Sequence, residues 1–231
     1  MFYAGLASLF VLIFIHLFAN RMKVLGWIWH GRFLSFAAGI SFAYVFVDLL
    51  PALEKAQPAV KQSLGSVIPY LDLHVYFISL LGVLFYYGLH SQLESQRNFW
   101  LSLVGYLLFN FFVGASLADS SNPEIQPILL FTIAMGMHYF IHDHNTGLHY
   151  SDIYQRYARW LLVAALFLGY FIGIITQIPN TVAAVVIAFI SGGVFLNAMH
   201  YELPKREQVG YVFFLSGALI YAIILLKIGA P

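Results

Sequence analysis

The sequence contains no cysteine and few charged residues. Without thiols, neither a disulfide nor a thiolate metal ligand can form. Asp, Glu, Lys and Arg make up only 9% of the 231 residues, whereas a soluble domain carries about 25%. Apolar residues reach 61%, and the net charge of +1 gives no indication of nucleic-acid binding. The scarcity of charge excludes an ordinary soluble domain and favours a membrane protein.

Eight segments are apolar and long enough to cross the ~30 Å hydrocarbon core of a bilayer as helices. They cover residues 3–20, 27–50, 73–93, 98–118, 126–143, 158–176, 181–201 and 209–228, and the longest connections are predicted at 52–72 and 142–159. Pro51 and Pro204 are predicted to close the second and seventh spans. No interdomain linker is visible, so we predict an all-α, polytopic membrane protein with a single transmembrane domain, 1–231.

The basic residues indicate how the spans are oriented. If the N-terminus is external, eight Lys and Arg residues fall on the cytoplasmic side and three fall outside. The cytoplasmic set is Arg21, Lys23, Arg32, Arg97, Arg156, Arg159, Lys205 and Arg206, and the outer set is Lys55, Lys61 and Lys227. Because cytoplasmic loops are enriched in basic residues, this imbalance predicts that both termini lie outside.

One sequence pattern occurs twice. The segment FAAGISFAYVFVDLLPALE begins at Phe36, and FISGGVFLNAMHYELPKRE begins 153 residues later at Phe189. Aligned without a gap, the two copies share Phe36/Phe189, Gly39/Gly192, Phe42/Phe195, Leu50/Leu203, Pro51/Pro204 and Glu54/Glu207. The first copy lies in the second span and the other in the seventh, so the two are predicted to cross the membrane in opposite directions. Inverted repeats of this kind are typical of secondary transporters, whose binding site lies near the bilayer midplane.

Polar residues within the membrane are costly and are therefore candidates for a functional site. His138 and His142 are four residues apart in the fifth span, a spacing that can supply two imidazole ligands to one metal ion. Asn110 in the fourth span is predicted at the depth of His138, ~18 Å along its helix. Its amide could serve as a ligand, as a partner of an imidazole or as a contact between helices. Asp143, His144, His149 and Asp152 continue this polar segment into the cytoplasmic loop, where His144 and His149 are interpreted as interfacial.

Two acids lie near the ends of the repeated segments. Asp48 is one turn from the outer end of the second span, and Glu202 occupies the inner end of the seventh. They could flank the two mouths of one pathway, or could meet water at the interface without a functional role. His16 and His74 also lie near span ends and are interpreted as interfacial.

At these positions the sequence resembles the ZIP family of divalent-metal transporters. The resemblance covers most of the chain: eight spans with both termini outside, a glycine-containing second span that ends in DLLPALE, and a seventh that ends in YELPKRE. Family members carry HNxPEG in the fourth span and HExPHE in the fifth, and these motifs build a metal centre halfway across the membrane. The corresponding segments here are FNFFVG and HYFIHD.

The resemblance implies a ligand set together with departures from it. The residues that match the pattern, or can serve as ligands at its positions, are Asn110, Gly114, His138 and His142. Phe109 and Val113 stand where the family has a ligand His and a ligand Glu, and Tyr139 replaces an acid. These changes remove negative charge. Two imidazoles and an amide would therefore hold one Zn²⁺ or Fe²⁺ weakly, unless Asp143 or another acid approaches the ion.

The sequence favours a carrier over an enzyme. The resemblance implies transport of Zn²⁺ or Fe²⁺ toward the cytoplasm, without a bound cofactor. The candidate metal-contacting residues are His138, His142, Asn110, Asp143, Asp48 and Glu202. One alternative is a ZIP-fold protein that has lost metal transport and serves another solute or a sensing role. HYFIHDH and HNTGLHY also resemble the His boxes of membrane di-iron enzymes, but that class uses about eight ligands in several boxes, and this chain has one such cluster.

The expected setting follows from the same features. We expect a multi-pass protein of the cell (inner) membrane, with the lipid bilayer and a divalent metal ion as partners. A homodimer is compatible with the sequence, and no nucleic-acid partner is expected.

Overall fold

The computed structural model of the protein is built from α-helices. It describes residues 2–19, 27–64, 74–90, 96–118, 125–176, 180–199 and 208–228, and no β-strand occurs within these ranges. The helices are α1 (Phe2–Phe18), α2 (Trp27–Tyr44), α3 (Leu50–Leu64), α4 (His74–His90), α5 (Gln96–Ala118), α6 (Ile125–His149), α7 (Ser151–Ile153), α8 (Arg159–Ile175), α9 (Asn180–Asn197) and α10 (Gln208–Ile228). π-Helical turns at Val45–Leu49 and Tyr154–Ala158 join α2 to α3 and α7 to α8. The predicted all-α fold is confirmed.

Four segments of the described chain are long and apolar enough to cross a membrane. They are Gly31–Gln62, Phe99–Ala118, Ser151–Ile175 and Gly210–Lys227, and the shorter apolar helices are Phe2–Phe18, His74–Gly88 and Ala184–Leu196. Large apolar side chains also face outward, as Val212 and Leu226 do on α10, each 63% exposed. An apolar outer surface of this extent suits contact with lipid. The helix lengths and compositions are thus consistent with a membrane protein.

The prediction that Pro51 closes the second span is wrong. The helix continues through the π-helical turn Val45–Leu49 into α3, in which Pro51 is the second residue. The extra residue of the turn shifts the backbone pairing, and the N–H of Leu50 reaches the carbonyl of Val45. A proline lacks an N–H and its ring clashes with the carbonyl of the preceding helical turn, so a widened turn just before it relieves both problems. Most of the predicted connection 52–72 is therefore helical up to Leu64.

The predicted connection 142–159 is also mostly helical. α6 extends beyond residue 143 to His149, and the next helical segment begins at Ser151. Tyr154 and Ala158 are buried against Phe99 and Leu103 of α5, so this polar-looking segment has an apolar face. The polar residues of this segment led to the prediction of a connection. The segment is helical because the apolar residues between them are buried against α5.

Side-chain contacts show how neighbouring helices run relative to α1. Ser8 bonds to Thr132 and His16 to Asp143, so α1 and α6 are parallel. The hydroxyl of Tyr170 donates to the carbonyl of Phe2, at the start of α1. The hydroxyl of Tyr154 donates to the carbonyl of His16, near the end of α1, so the segment 154–175 is antiparallel to α1. α5 is antiparallel to α1 as well, because Gly5 meets Leu117 and His16 meets Asn110.

The remaining helices fit the same alternation. The rings of Phe33 and Tyr44 pack on those of Phe140 and Phe131, respectively, so α2 is antiparallel to α6. α10 is parallel to α2, with Phe213 beside Arg32 and Gly217 beside Phe36.

α4 and α9 are parallel to each other, with Gly82 at Phe189 and Tyr86 at Gly193. Phe46 lies beside Phe195, and Leu53 shares a cluster with Ala184 and Ala188, so α9 is antiparallel to the α2–α3 segment.

Reciprocal glycines allow close backbone contact within three pairs of the described helices. At the α2–α10 contact, a Cβ atom on Gly39 would collide with the carbonyl oxygen of Phe214, and one on Gly217 would collide with that of Phe36. Reciprocal glycine pairs of the same kind are Gly82 with Gly192 at the α4–α9 contact and Gly114 with Gly169 at the α5–α8 contact. Small residues at helix contacts are typical of membrane bundles, in which close packing replaces the hydrophobic effect.

Candidate functional site

A buried carboxylate lies at the centre of the candidate site. The Asp143 side chain on α6 has no exposed surface, and each of its oxygen atoms has a histidine partner. Oδ2 is 2.6 Å from Nδ1 of His16 on α1, and Oδ1 is 3.3 Å from Nδ1 of His142 on α6. An isolated carboxylate is very unfavourable in a protein interior, so the two imidazoles, together with the Tyr154 hydroxyl, compensate for its burial. Asp143 does not extend into a cytoplasmic loop as the sequence suggested.

His16 joins α1 to α5 as well as to α6. Its Nε2 atom is 2.7 Å from Oδ1 of Asn110, and Nδ2 of Asn110 donates to the carbonyl of Tyr106 at 2.9 Å. Because a carbonyl oxygen only accepts hydrogen bonds, the amide nitrogen must face Tyr106 and the amide oxygen must face His16. His16 therefore carries a hydrogen on Nε2 and donates it to Asn110.

The contact between His16 and Asp143 holds one proton. Nδ1 and Oδ2 are separated by a distance typical of charge-assisted hydrogen bonds, and one hydrogen must lie between them. The pair is an imidazolium with a carboxylate or an imidazole with a carboxylic acid. Both forms contain the same number of protons and have no net charge, which suits a buried site.

His142 extends the hydrogen-bonded chain along α6. Its Nε2 atom is 3.3 Å from Oγ1 of Thr146, one turn further on, and its ring lies over the Tyr106 ring at a centroid distance of 3.5 Å. With Nδ1 donating to Asp143, Nε2 accepts from the Thr146 hydroxyl. The His142 side chain is 12% exposed, in contrast to the fully buried Asp143. Asn110, His16, Asp143, His142 and Thr146 are called the polar site below.

Two tyrosines complete the surroundings of His16. The Tyr154 hydroxyl donates to the backbone carbonyl of His16 at 3.3 Å. The Tyr139 ring lies 4.4 Å from the His16 ring, and its hydroxyl is buried without a hydrogen-bond partner among the described residues. Three helices and both tyrosines thus fix the orientation of one imidazole.

His138, the other predicted histidine ligand, has a different environment. It is 1% exposed, and its ring meets that of Phe109 edge-on at 5.6 Å. It lines a small cavity with Tyr86, Tyr106, Phe109, Ile190, Gly193 and Val194. Since Tyr106 also covers His142, this cavity borders the polar site.

The two predicted mouth acids are not part of the polar site as described. Asp48 lies in the π-helical turn Val45–Leu49, where it interacts with Tyr44, Tyr221 and Lys55. Tyr221 in turn donates to the carbonyl of Leu130 on α6 at 2.6 Å. Glu202 lies outside the described residues, as does Pro204 at the end of the second repeat copy.

The positions at which the chain departs from the ZIP pattern belong to the apolar core. Phe109, Val113 and Tyr139 are 8%, 5% and 1% exposed and share one buried cluster with residues of α1, α2, α8, α9 and α10. These three side chains are used for packing, while Asp143 supplies a buried carboxylate one turn after Tyr139. The buried site therefore contains the acid that the sequence analysis named as able to approach an ion, and this acid is paired with His16.

Three histidines interpreted as interfacial are buried. His16, His74 and His144 are 1%, 2% and 5% exposed. His144 stacks on Phe140 at 6.5 Å, and His16 belongs to the polar site. The sequence signal for His16 was weak because its partners lie 94 and 127 residues away. Its position in an otherwise apolar helix was the clue available.

Within the described ranges, no three His, Cys, Asp or Glu side chains are arranged to hold a metal ion as they stand. The donor types nevertheless suit Zn²⁺ or Fe²⁺, since two imidazoles, a carboxylate and an amide meet here. A separation of 2.6 Å between His16 and Asp143 is that of a hydrogen bond, so one ion could use both only after that bond opens. No protein-family model matches this chain, and no curated protein matches it either.

Proposed function

We propose that this protein is a ZIP-like membrane carrier that moves a divalent transition-metal ion, Zn²⁺ or Fe²⁺, toward the cytoplasm. The observation that carries the proposal is the Asp143 carboxylate, fully buried between the imidazoles of His16 and His142. Buried ionisable groups within membrane helices are costly and usually mark a pathway for ions or protons. The polar site supplies the donor types for such an ion.

The helix arrangement supports an inverted repeat of eight spans. α2 and α9 carry the two copies and run in opposite directions, each beside a parallel partner helix. Gly39 and Gly192, which the repeat aligns, both touch the backbone of that partner. The π-helical turn Val45–Leu49 also has a counterpart at 198–199, 153 residues later. These paired features favour the secondary-transporter architecture, with both termini outside as the basic residues indicate.

The proposed binding step exchanges a proton for the metal ion. The ion is bound by Nδ1 of His16, Asp143 and Nδ1 of His142 after the hydrogen bond between His16 and Asp143 opens. The hydrogen of His142 moves from Nδ1 to Nε2, where it is donated to Thr146. Asn110 joins the ligands only if it also releases Nε2 of His16. The proton held by that pair leaves, because an imidazole nitrogen and a carboxylate must be free of hydrogen to act as ligands. One carboxylate then offsets half of the charge of the ion, so binding is weaker than at a site with several acids.

A second candidate function is a ZIP-fold protein that no longer transports metal and serves another solute or a sensing role. Phe109, Val113 and Tyr139 favour it, since packing residues occupy positions of family ligands or acids. Under this alternative, the polar site is a structural hydrogen-bond network.

Uptake of Zn²⁺ and Fe²⁺ into proteoliposomes tests the proposal. We expect uptake by the wild type and its loss in Asp143→Asn, because the amide is neutral and cannot replace the carboxylate as an anionic ligand. Asp152→Asn makes the same chemical change at an exposed position of α7 and should retain uptake. Absence of metal uptake by well-folded wild-type protein would contradict the proposal and select the second candidate.

A further inference from the structure

The hydroxyl group of Tyr139 is an unusual feature of the buried core. Tyr139 is 1% exposed, and its hydroxyl has no hydrogen-bond partner among the described residues. Leaving such a group unpaired in the interior is destabilising, and most buried polar side chains avoid it. Phenylalanine would fill almost the same space without this cost, so packing alone does not explain the hydroxyl.

The position of Tyr139 connects it to the polar site. It precedes Asp143 by four residues, which puts both side chains on one face of α6. Its ring lies 4.4 Å from the His16 ring and 5.9 Å from the Phe109 ring, and it interacts electrostatically with Asp143. The neighbours of the Tyr139 side chain are therefore His16 and Asp143 of the polar site, and Phe109, which lines the cavity beside His138.

We propose that the Tyr139 hydroxyl is an additional binding group for the transported ion, to which it contributes a hydrogen bond through water retained by that ion. This inference rests on the proposed function. A water ligand of a divalent ion at Asp143 would give the Tyr139 hydroxyl the hydrogen-bond partner that it lacks among the described residues. The hydroxyl gains its missing partner only when the ion is present, so its contribution appears in ion affinity and not in the stability of the ion-free protein.

Titration of purified protein with Co²⁺ alone, followed by visible absorption, tests the inference. We expect Tyr139→Phe to weaken Co²⁺ binding about five- to tenfold, the effect of losing one hydrogen bond. Its melting temperature without metal should be unchanged or higher, because no internal hydrogen bond is removed. Tyr170→Phe is the matched control. Tyr170 is equally buried, but its hydroxyl already bonds to the carbonyl of Phe2, so this change should lower the melting temperature and leave Co²⁺ affinity unchanged.

The outcomes separate this inference from the proposed function. Unchanged Co²⁺ affinity in Tyr139→Phe, with normal binding by the wild type, would overturn the role of Tyr139 alone. Failure of the folded wild type to bind Co²⁺ would overturn the metal site itself, and the inference with it.

Discussion

At the residue scale, the polar site shows what single-residue reasoning could and could not find. Asn110, His142 and Asp143 were identifiable because they are polar residues within or beside apolar spans. His16 was not, because its burial depends on contacts with α5 and α6 that lie far away in sequence. Asp143 was predicted as a candidate ligand, but its complete burial beside His16 could not be read from the local sequence.

The hydrogen bond between His16 and Asp143 should dominate the stability of this region. Removing either partner takes away the shortest hydrogen bond of a fully buried ionisable group, so His16→Ala and Asp143→Ala should each lower the free energy of unfolding by about 3 kcal/mol. The double variant should lose clearly less than the sum, because the second change can no longer break the bond between the two residues. Denaturant unfolding in detergent measures all three.

A control pair isolates this coupling. Tyr221→Phe removes the hydrogen bond to the carbonyl of Leu130, which is separate from the bond between His16 and Asp143. Its effect should add to that of Asp143→Ala. If the losses of unfolding free energy were additive in both double variants, His16 with Asp143 and Tyr221 with Asp143, then His16 and Asp143 would not be energetically coupled.

At the element scale, the helices were predictable and their ends were not. Apolar length and low charge identified the spans, but Pro51 and the polar residues after His142 were interpreted as helix ends. The π-helical turn before Pro51 and the apolar contacts of Leu53 and Val60 keep that helix continuous. Such compensation depends on tertiary packing and on one extra residue in a turn, neither of which a local pattern reveals.

The reciprocal glycines make a prediction about helix packing. Gly39→Ala and Gly192→Ala should each lower the free energy of unfolding by about 1–3 kcal/mol, because the new methyl group meets a backbone carbonyl that cannot move independently. Gly31→Ala and Gly88→Ala are matched controls with open space around the added carbon. They should leave stability unchanged or raise it, since alanine favours helix. Equal effects in both sets would argue against close packing at the repeat.

At the scale of the whole molecule, alternating helix directions are the strongest support for a multi-pass bundle. α1, α4, α6 and α9 run in one direction, and the other long helices run in the opposite direction. Cysteine scanning can test the proposed orientation without a background, because the chain has no native thiol. On intact cells, a membrane-impermeant maleimide should label Lys61→Cys and Lys227→Cys.

The opposite side of the membrane provides the control for labelling. Asp152→Cys, between α6 and α8, should react only after the membrane is permeabilised. Labelling of Asp152→Cys on intact cells, with protection of the other two, would reverse the orientation. Labelling of all three would contradict the eight-span topology.

The exchange of a proton for a metal ion at Asp143 is the central claim, and calorimetric titration of the purified protein with Zn²⁺ tests it most directly. Repeating the titration in buffers of different ionisation enthalpy counts the protons released. We predict release of about one proton per ion by the wild type, affinity that falls as the pH is lowered, and no comparable binding by Asp143→Asn. Undetectable Zn²⁺ binding by folded wild-type protein, or equal binding by Asp143→Asn, would contradict the account.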